Sequence, residues 1–257
     1  MKRFSLALTA LVFCVIGGTL LALILYSPLP ILARSLTNPE IQFAIVLSLV
    51  TSVVSTLICI AIAVPVAYAL ARYTFFGKSV ATLILTLPLT LPPLVAGIAL
   101  LLFFGTTPWG QALENAGFGV IFTPLGIIVA EVFVNLPYMI RIMRSTFDAI
   151  NPRFEHVAKT LGCTETGAFI SVTLPMARHG LLAGTVITWS KAMGEFGAVL
   201  MLAGATTMRT ETLPIALYLN ISTGDVDLAV AAATILIFIS LLALCAVEFF
   251  DRDVHVF

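Results

Sequence analysis

Six stretches of this chain, residues 4–26, 42–70, 80–104, 123–143, 180–203 and 227–249, are each long and apolar enough to cross a bilayer as a helix. About 20 mostly apolar residues suffice to span the hydrocarbon core. In lipid every backbone polar group must find a partner inside the protein, so such stretches fold as helices. Composition agrees: of 257 residues, 60% are hydrophobic and 10% charged, against about 25% charged in soluble domains. The expected fold is an all-α membrane protein, one transmembrane domain over residues 1–257, multi-pass in the cytoplasmic (inner) membrane and solvated by the lipid bilayer.

The placement of charge sets the expected orientation. Lys2, Arg3, Arg72, Lys78, Arg141, Arg144, Arg153, Lys159, Arg178 and Arg252 fall on one side of the six segments and only Arg34 and Arg209 on the other. Basic residues mark the cytoplasmic side, which predicts six transmembrane helices with the N and C termini both cytoplasmic. Net charge is zero, so nothing favours nucleic acid as a partner. The first apolar run, Phe4 to Tyr26, exceeds the apolar region of a signal peptide, about 7 to 15 residues, and reads as an uncleaved first span. Cys14, Cys59, Cys163 and Cys245 show no metal-ligand spacing and read as buried or free thiols. Between residues 204 and 226, facing outward, the segment "LPIALYLN" is too short to span and is expected to form a short helix dipping into the membrane interface. The Asn220-Ile221-Ser222 sequon there carries no weight.

Helix breakers crowd the spans: Pro65 in the second, Pro88, Pro92 and Pro93 in the third, Pro137 in the fourth. Each removes an amide donor and bends its helix. Freed carbonyls are tolerated at membrane depth where protein or a cavity satisfies them, so the cluster in the third span suggests a pathway as well as a packing device. Glu131, Lys191 and Glu195 are the intramembrane charges. Lys191 and Glu195, four apart on one helical face, are placed to pair with each other or with Glu131. Alternatively, Lys191 lends positive potential to an anion route.

The stretch "NPRFEHVAKTLGCTETGAFISVTLP", residues 151–175, differs from everything around it. Asn151 and Pro152 open a helix, Phe154, Val157, Ala158 and Leu161 recur on one stripe, and Gly162 ends it. Arg153, Glu155, His156, Lys159 and Thr160 occupy the other faces. Such a cytoplasmic amphipathic helix either lies on lipid headgroups or docks on another protein.

The stretch resembles the EAA loop of binding-protein-dependent ABC-transporter permeases, in which E-A-A is followed after three residues by G and after nine more by I-x-L-P. Gly162 and Val172 to Pro175 fit that spacing. His156, Val157 and Ala158 stand at the E-A-A positions, with the acidic residue displaced to Glu155. Residues 77–105 and 190–204 resemble the molybdate branch of that family, whose relatives include tungstate and sulfate permeases. The resemblance implies a type I ABC importer permease fold. It also implies a second copy of the chain, two ABC ATPase subunits carrying ATP and Mg, and an extracytoplasmic oxyanion-binding protein. This chain itself would bind no cofactor and no metal. Arg153, Glu155, His156, Val157, Ala158, Lys159, Leu161 and Gly162 would couple to the ATPase. Thr86, Pro88, Thr90, Pro92, Pro93, Ser190, Lys191 and Glu195 would be pathway or gate candidates for molybdate, tungstate or sulfate.

Other classes have little to stand on. "RYTFFGKS" ends like a P-loop, but Arg72 stands where its first glycine is required. No HExxH or GxSxG occurs, and His156, His179 and His255 all fall at or beyond the cytoplasmic boundary, so catalysis on this chain is not expected. An ion-driven carrier using Glu131 or Glu195 would call for inverted repeats, and no internal similarity is visible.

Overall fold

The computed structural model describes residues 1–26 and 29–252, and these are helices joined by short turns, with no strand among the described residues. In chain order the helices are α1 (Lys2–Tyr26), α2 (Leu29–Leu36), α3 (Pro39–Arg72), α4 (Lys78–Thr86), α5 (Pro93–Thr106), α6 (Pro108–Asn115) and α7 (Pro124–Ala149). There follow α8 (Arg153–Thr160), α9 (Glu165–Ala168), α10 (Leu174–Met176), α11 (Arg178–Met193), α12 (Gly197–Ala203), α13 (Leu213–Thr223) and α14 (Val226–Arg252). By length and apolarity α1, α3 and α7 are each able to cross a membrane unaided. Two further crossings arise if the bent pairs Lys78–Leu89 with Pro93–Thr106 and Glu165–Met176 with Arg178–Met193 each count as one span.

The long helices start where local chemistry allows. Asn38 Oδ1 accepts the Glu40 amide at 2.8 Å and Pro39 takes the first helical position of α3. Thr123 caps α7 in the same way, followed by Pro124. Both features satisfy or remove amides that have no partner inside the helix.

The α3–α7 pair is the centre of the bundle. Between Ile41 and Leu70, the buried residues of α3 are small: Ala44, Ser48, Thr51, Ser52, Ser55, Thr56, Cys59, Ala63 and Ala67. Such residues let helices approach closely, which substitutes for a hydrophobic driving force that lipid cannot supply. Toward the end that meets α8, Cys59, Ala63, Ala67 and Leu70 of α3 meet Met139, Ile140, Met143 and Phe147 of α7. A second core joins Ala96 and Leu100 of α5, Ile127, Ala130 and Val134 of α7, and Ala198, Val199 and Leu202 of α12.

The prolines do not act alike. Helices α3 and α7 continue through Pro65 and Pro137, in keeping with single prolines that shape packing without ending a helix. The third segment, by contrast, breaks completely, turning by 112° between Leu89 and Pro93. Pro92, preceding another proline, is forced to the extended ψ of 135°, and Pro93 then starts a new helix. The segment expected over 180–203 is divided too, with Gly194 to Phe196 separating α11 from α12. The segment "LPIALYLN" does form a short helix, α13, which buries Leu213, Pro214, Ile215, Ala216 and Asn220 inside the bundle. The Leu213 amide donates to Ser48 Oγ of α3 at 2.8 Å.

Candidate functional site

Helix α8 is anchored through a face that the sequence pattern would leave outside. Glu155 is 4% exposed and Ala158 8%, while Phe154, Val157 and Leu161 are 51%, 57% and 80% exposed. The apolar stripe is therefore split: Ala158 turns in and its three partners turn out. A long-range polar contact holds the Glu155 face inward. Tyr68 Oη donates to Glu155 Oε2 at 2.7 Å, and Arg72 Nε donates to Glu155 Oε1 at 2.9 Å. Arg72 Nη2 donates to the Ile150 carbonyl at 2.9 Å, reaching the end of α7. Burial pushes the Glu155 carboxyl up, but the hydrogen bonds from Tyr68 and Arg72 and the guanidinium charge outweigh it and hold the group below the usual carboxylate range.

Around this contact the Tyr68 ring meets Phe147 of α7 and Phe169 edge-on, with centroids 5.7 Å and 4.7 Å away. Phe169 belongs to a π-helical turn, Phe169–Thr173, a local form that often marks functional segments. Arg153 and His156 are exposed, and Lys159 Nζ donates to Glu165 Oε1 at 2.8 Å within the loop. Gly162 ends the helix at φ +97°, a conformation few other residues adopt. Of the eight residues expected to face a partner, Glu155 and Ala158 thus face the protein's own spans.

The second candidate region lies where the two broken segments meet. A Cβ on Gly197 would fall 2.9 Å from Pro93 Cβ and 3.0 Å from Leu94 N, and one on Gly97 2.7 Å from Met201 Cβ. Backbone contact of this kind joins the start of α5 to α12. Glu195 sits in the break, where its Oε1 accepts the Ala198 amide at 3.0 Å and caps α12. Lys191 Nζ stands 4.1 Å over the Tyr138 ring, a cation–π contact. No ion pair joins Lys191, Glu195 and Glu131 among the described residues, which corrects the expected pairing. The helix ends at Met193, so the four-residue register that would align Lys191 with Glu195 is lost. Glu131, 2% exposed, instead receives Thr51 Oγ1 at 3.1 Å.

Other pathway candidates are occupied locally. Thr86 donates to the Thr82 carbonyl at 2.8 Å and Thr90 to the Leu87 carbonyl at 2.8 Å, around Pro88, where the break leaves carbonyls in need of donors. Ser190 Oγ is buried and has no hydrogen-bond partner. Tyr68, Arg72 and Tyr138 were not singled out from sequence as site residues. Arg72 carried a signal as a cytoplasmic charge, whereas nothing local marks either tyrosine.

A bundle of long apolar helices with two bent segments, and a short amphipathic helix packed against one end of it, is the architecture of a multi-pass membrane protein. Residues 60–256 match the family model described as binding-protein-dependent transport system inner membrane component, and the chain belongs to that family as the permease subunit of an ABC importer. Its sequence groups with molybdenum and sulfate permeases. It is 36% identical over 215 residues to the molybdenum transport system permease protein ModB of Mycobacterium tuberculosis, covering 82% of this chain and 80% of that one. It is 31% identical over 213 residues to the sulfate transport system permease protein CysT of Salmonella typhimurium, covering 82% and 77%. In fold it is similar to a bacterial ABC transporter involved in the import of the acidic polysaccharide alginate, with a TM-score of 0.76, 17% identity, and 98% and 94% of the two chains covered.

Proposed function

We propose that the chain forms, as a homodimer of six-span subunits with cytoplasmic termini, the pathway of an ATP-driven importer for a tetrahedral oxyanion, most simply molybdate or tungstate. ATP and Mg would be held by two separate ATPase subunits, and the substrate would be delivered by an extracytoplasmic binding protein. The observation carrying this reading is the exposed stripe Phe154, Val157 and Leu161 on α8, an apolar surface turned away from the bundle. An amphipathic helix presenting such anchors fits a groove in a partner protein. ATP-driven closure of the ATPase pair would move α8, and the broken α4–α5 and α11–α12 segments would reorient between outward and inward access. Near the breaks, Ser190 and Lys191 offer polar groups, while Pro92, Pro93 and Glu195 shape the turn.

Sulfate is the second reading, favoured by the similarity to a sulfate permease. The test is co-purification followed by reconstituted uptake. Wild-type protein should retain the ATPase and take up labelled molybdate in competition with tungstate. Val157→Asp should lose the ATPase. Retention of the ATPase by Val157→Asp would remove the docking role of α8, and uptake of sulfate alone would move the substrate assignment.

A further inference from the structure

We infer that Glu155 is a positioning residue: gripped by Arg72 and Tyr68, it fastens α8 to the cytoplasmic ends of α3 and α7, so that all three move as one lever. The inference rests on the importer reading above and deepens it by naming where force enters the membrane domain.

Three observations carry it. The contact is multidentate and buried, with both carboxylate oxygens occupied at 2.7 and 2.9 Å and the Arg72 and Glu155 side chains 9% and 6% exposed. Arg72 also holds the Ile150 carbonyl, so one guanidinium spans the end of α7 and α8. Finally, of the three ion pairs among the described residues, this one alone links the cytoplasmic loop to a spanning helix: Lys159–Glu165 lies within the loop and Arg144–Asp148 within α7.

A carboxylate held at both oxygens by two different donors, one of them charged, is fixed in orientation as well as distance, which is what a lever requires. A displacement applied to the outward face of α8 passes through Glu155 to α3 and α7 before it reaches α5 or α12. With the pair removed, α8 keeps its turns at Asn151-Pro152 and Leu161 to Thr164 and the Lys159–Glu165 contact, but among the described residues no ion pair then joins it to a spanning helix.

The experiment uses the permease assembled with its ATPase subunits and binding protein in proteoliposomes, comparing wild type, Glu155→Ala, Glu155→Gln, Arg72→Met and the Arg72→Met/Glu155→Gln double variant. Because the docking stripe is untouched, the ATPase should co-purify and hydrolyse ATP in every variant. Substrate imported per ATP should fall by about tenfold in Glu155→Ala and Arg72→Met, a size ordinary for coupling between sites. Glu155→Gln, which keeps length and hydrogen-bonding capacity, should fall less, and the double variant should be no worse than Arg72→Met alone, because both changes break one link. Import per ATP equal to wild type in assembled variants overturns the inference, as does a double variant in which the two losses multiply. Should the alanine variant fail to assemble, Glu155→Gln and its double-mutant cycle decide. If wild-type complex shows no hydrolysis stimulated by loaded binding protein, the importer reading falls and takes the inference with it. If wild type couples and every variant couples equally, the lever alone falls.

Discussion

The Arg72–Glu155 contact shows how one distant pair overrides a local hydrophobic pattern. Removing one partner of a buried ion pair leaves the other charged in a low-dielectric site, which costs about 3–5 kcal/mol. Glu155→Ala should therefore lower thermal stability far more than Glu155→Gln, and equal unfolding temperatures for the two would contradict the buried geometry. The pH dependence has a definite sign. Burial raises the Glu155 pKa, but the Tyr68 and Arg72 hydrogen bonds and the Arg72 charge leave it lowered overall. Its stabilisation is therefore fully present above the unfolded value, about 4.3, and is lost as pH falls through the folded one. The stability advantage of wild type over Glu155→Gln should be flat from neutral pH to about 5 and shrink below about 4. An advantage that grows on acidification would reverse the assignment. At the breaks, Gly197→Ala would place a methyl group 2.9 Å from Pro93 Cβ and 3.0 Å from the Leu94 backbone nitrogen. Backbone cannot swing aside as a side chain can, so a loss of about 1–3 kcal/mol is expected in thermal unfolding, and an unchanged midpoint would show that the two breaks do not bear on each other.

Helix α8 was legible in the sequence as a helix, from Asn151, Pro152 and the stop at Gly162, because capping and helix termination are local chemistry. Which way it faces was not legible, because Tyr68 and Arg72 lie 87 and 83 residues from Glu155. The two faces make opposite predictions. Leu161→Asp, on the exposed face, should leave stability of the isolated permease within about 0.5 kcal/mol, whereas Ala158→Leu overfills a buried site and should cost about 1–3 kcal/mol. Thermal unfolding of the two variants checks this, and the reverse order would mean that α8 is rotated. The broken spans divide in a similar way. The cluster of Pro88, Pro92 and Pro93 marked the third segment as different in the sequence, and there the chain does turn by 112°, whereas the isolated Pro65 and Pro137 lie inside continuous helices. At Gly194 to Phe196 no proline announces the break, and it destroys the spacing on which an ion pair between Lys191 and Glu195 depended.

For the molecule as a whole, Cys163 offers a native topological probe: it is free and exposed in the loop after α8, whereas Cys59 is buried. A membrane-impermeant maleimide should label Cys163 in inside-out vesicles and leave it unlabelled in right-side-out ones, and the opposite result would invert the proposed orientation. Helix α1 has no buried residue, so its apolar surface is left facing away from the rest of the chain. By itself the sequence determined that this chain is an all-helical membrane protein, that residues 151–175 form a separate polar element between two apolar segments, and that this element resembles the loop of an importer permease in its spacing. Hydrophobic length, cap residues and glycine stops act within a few residues, so they can be read in one dimension. Only the tertiary structure decided that Glu155 is buried against Tyr68 and Arg72 rather than exposed, which prolines break a helix, and what Lys191 and Glu195 touch. Those outcomes depend on groups brought together from distant segments, where a buried hydrogen bond or a close backbone contact outweighs local pattern.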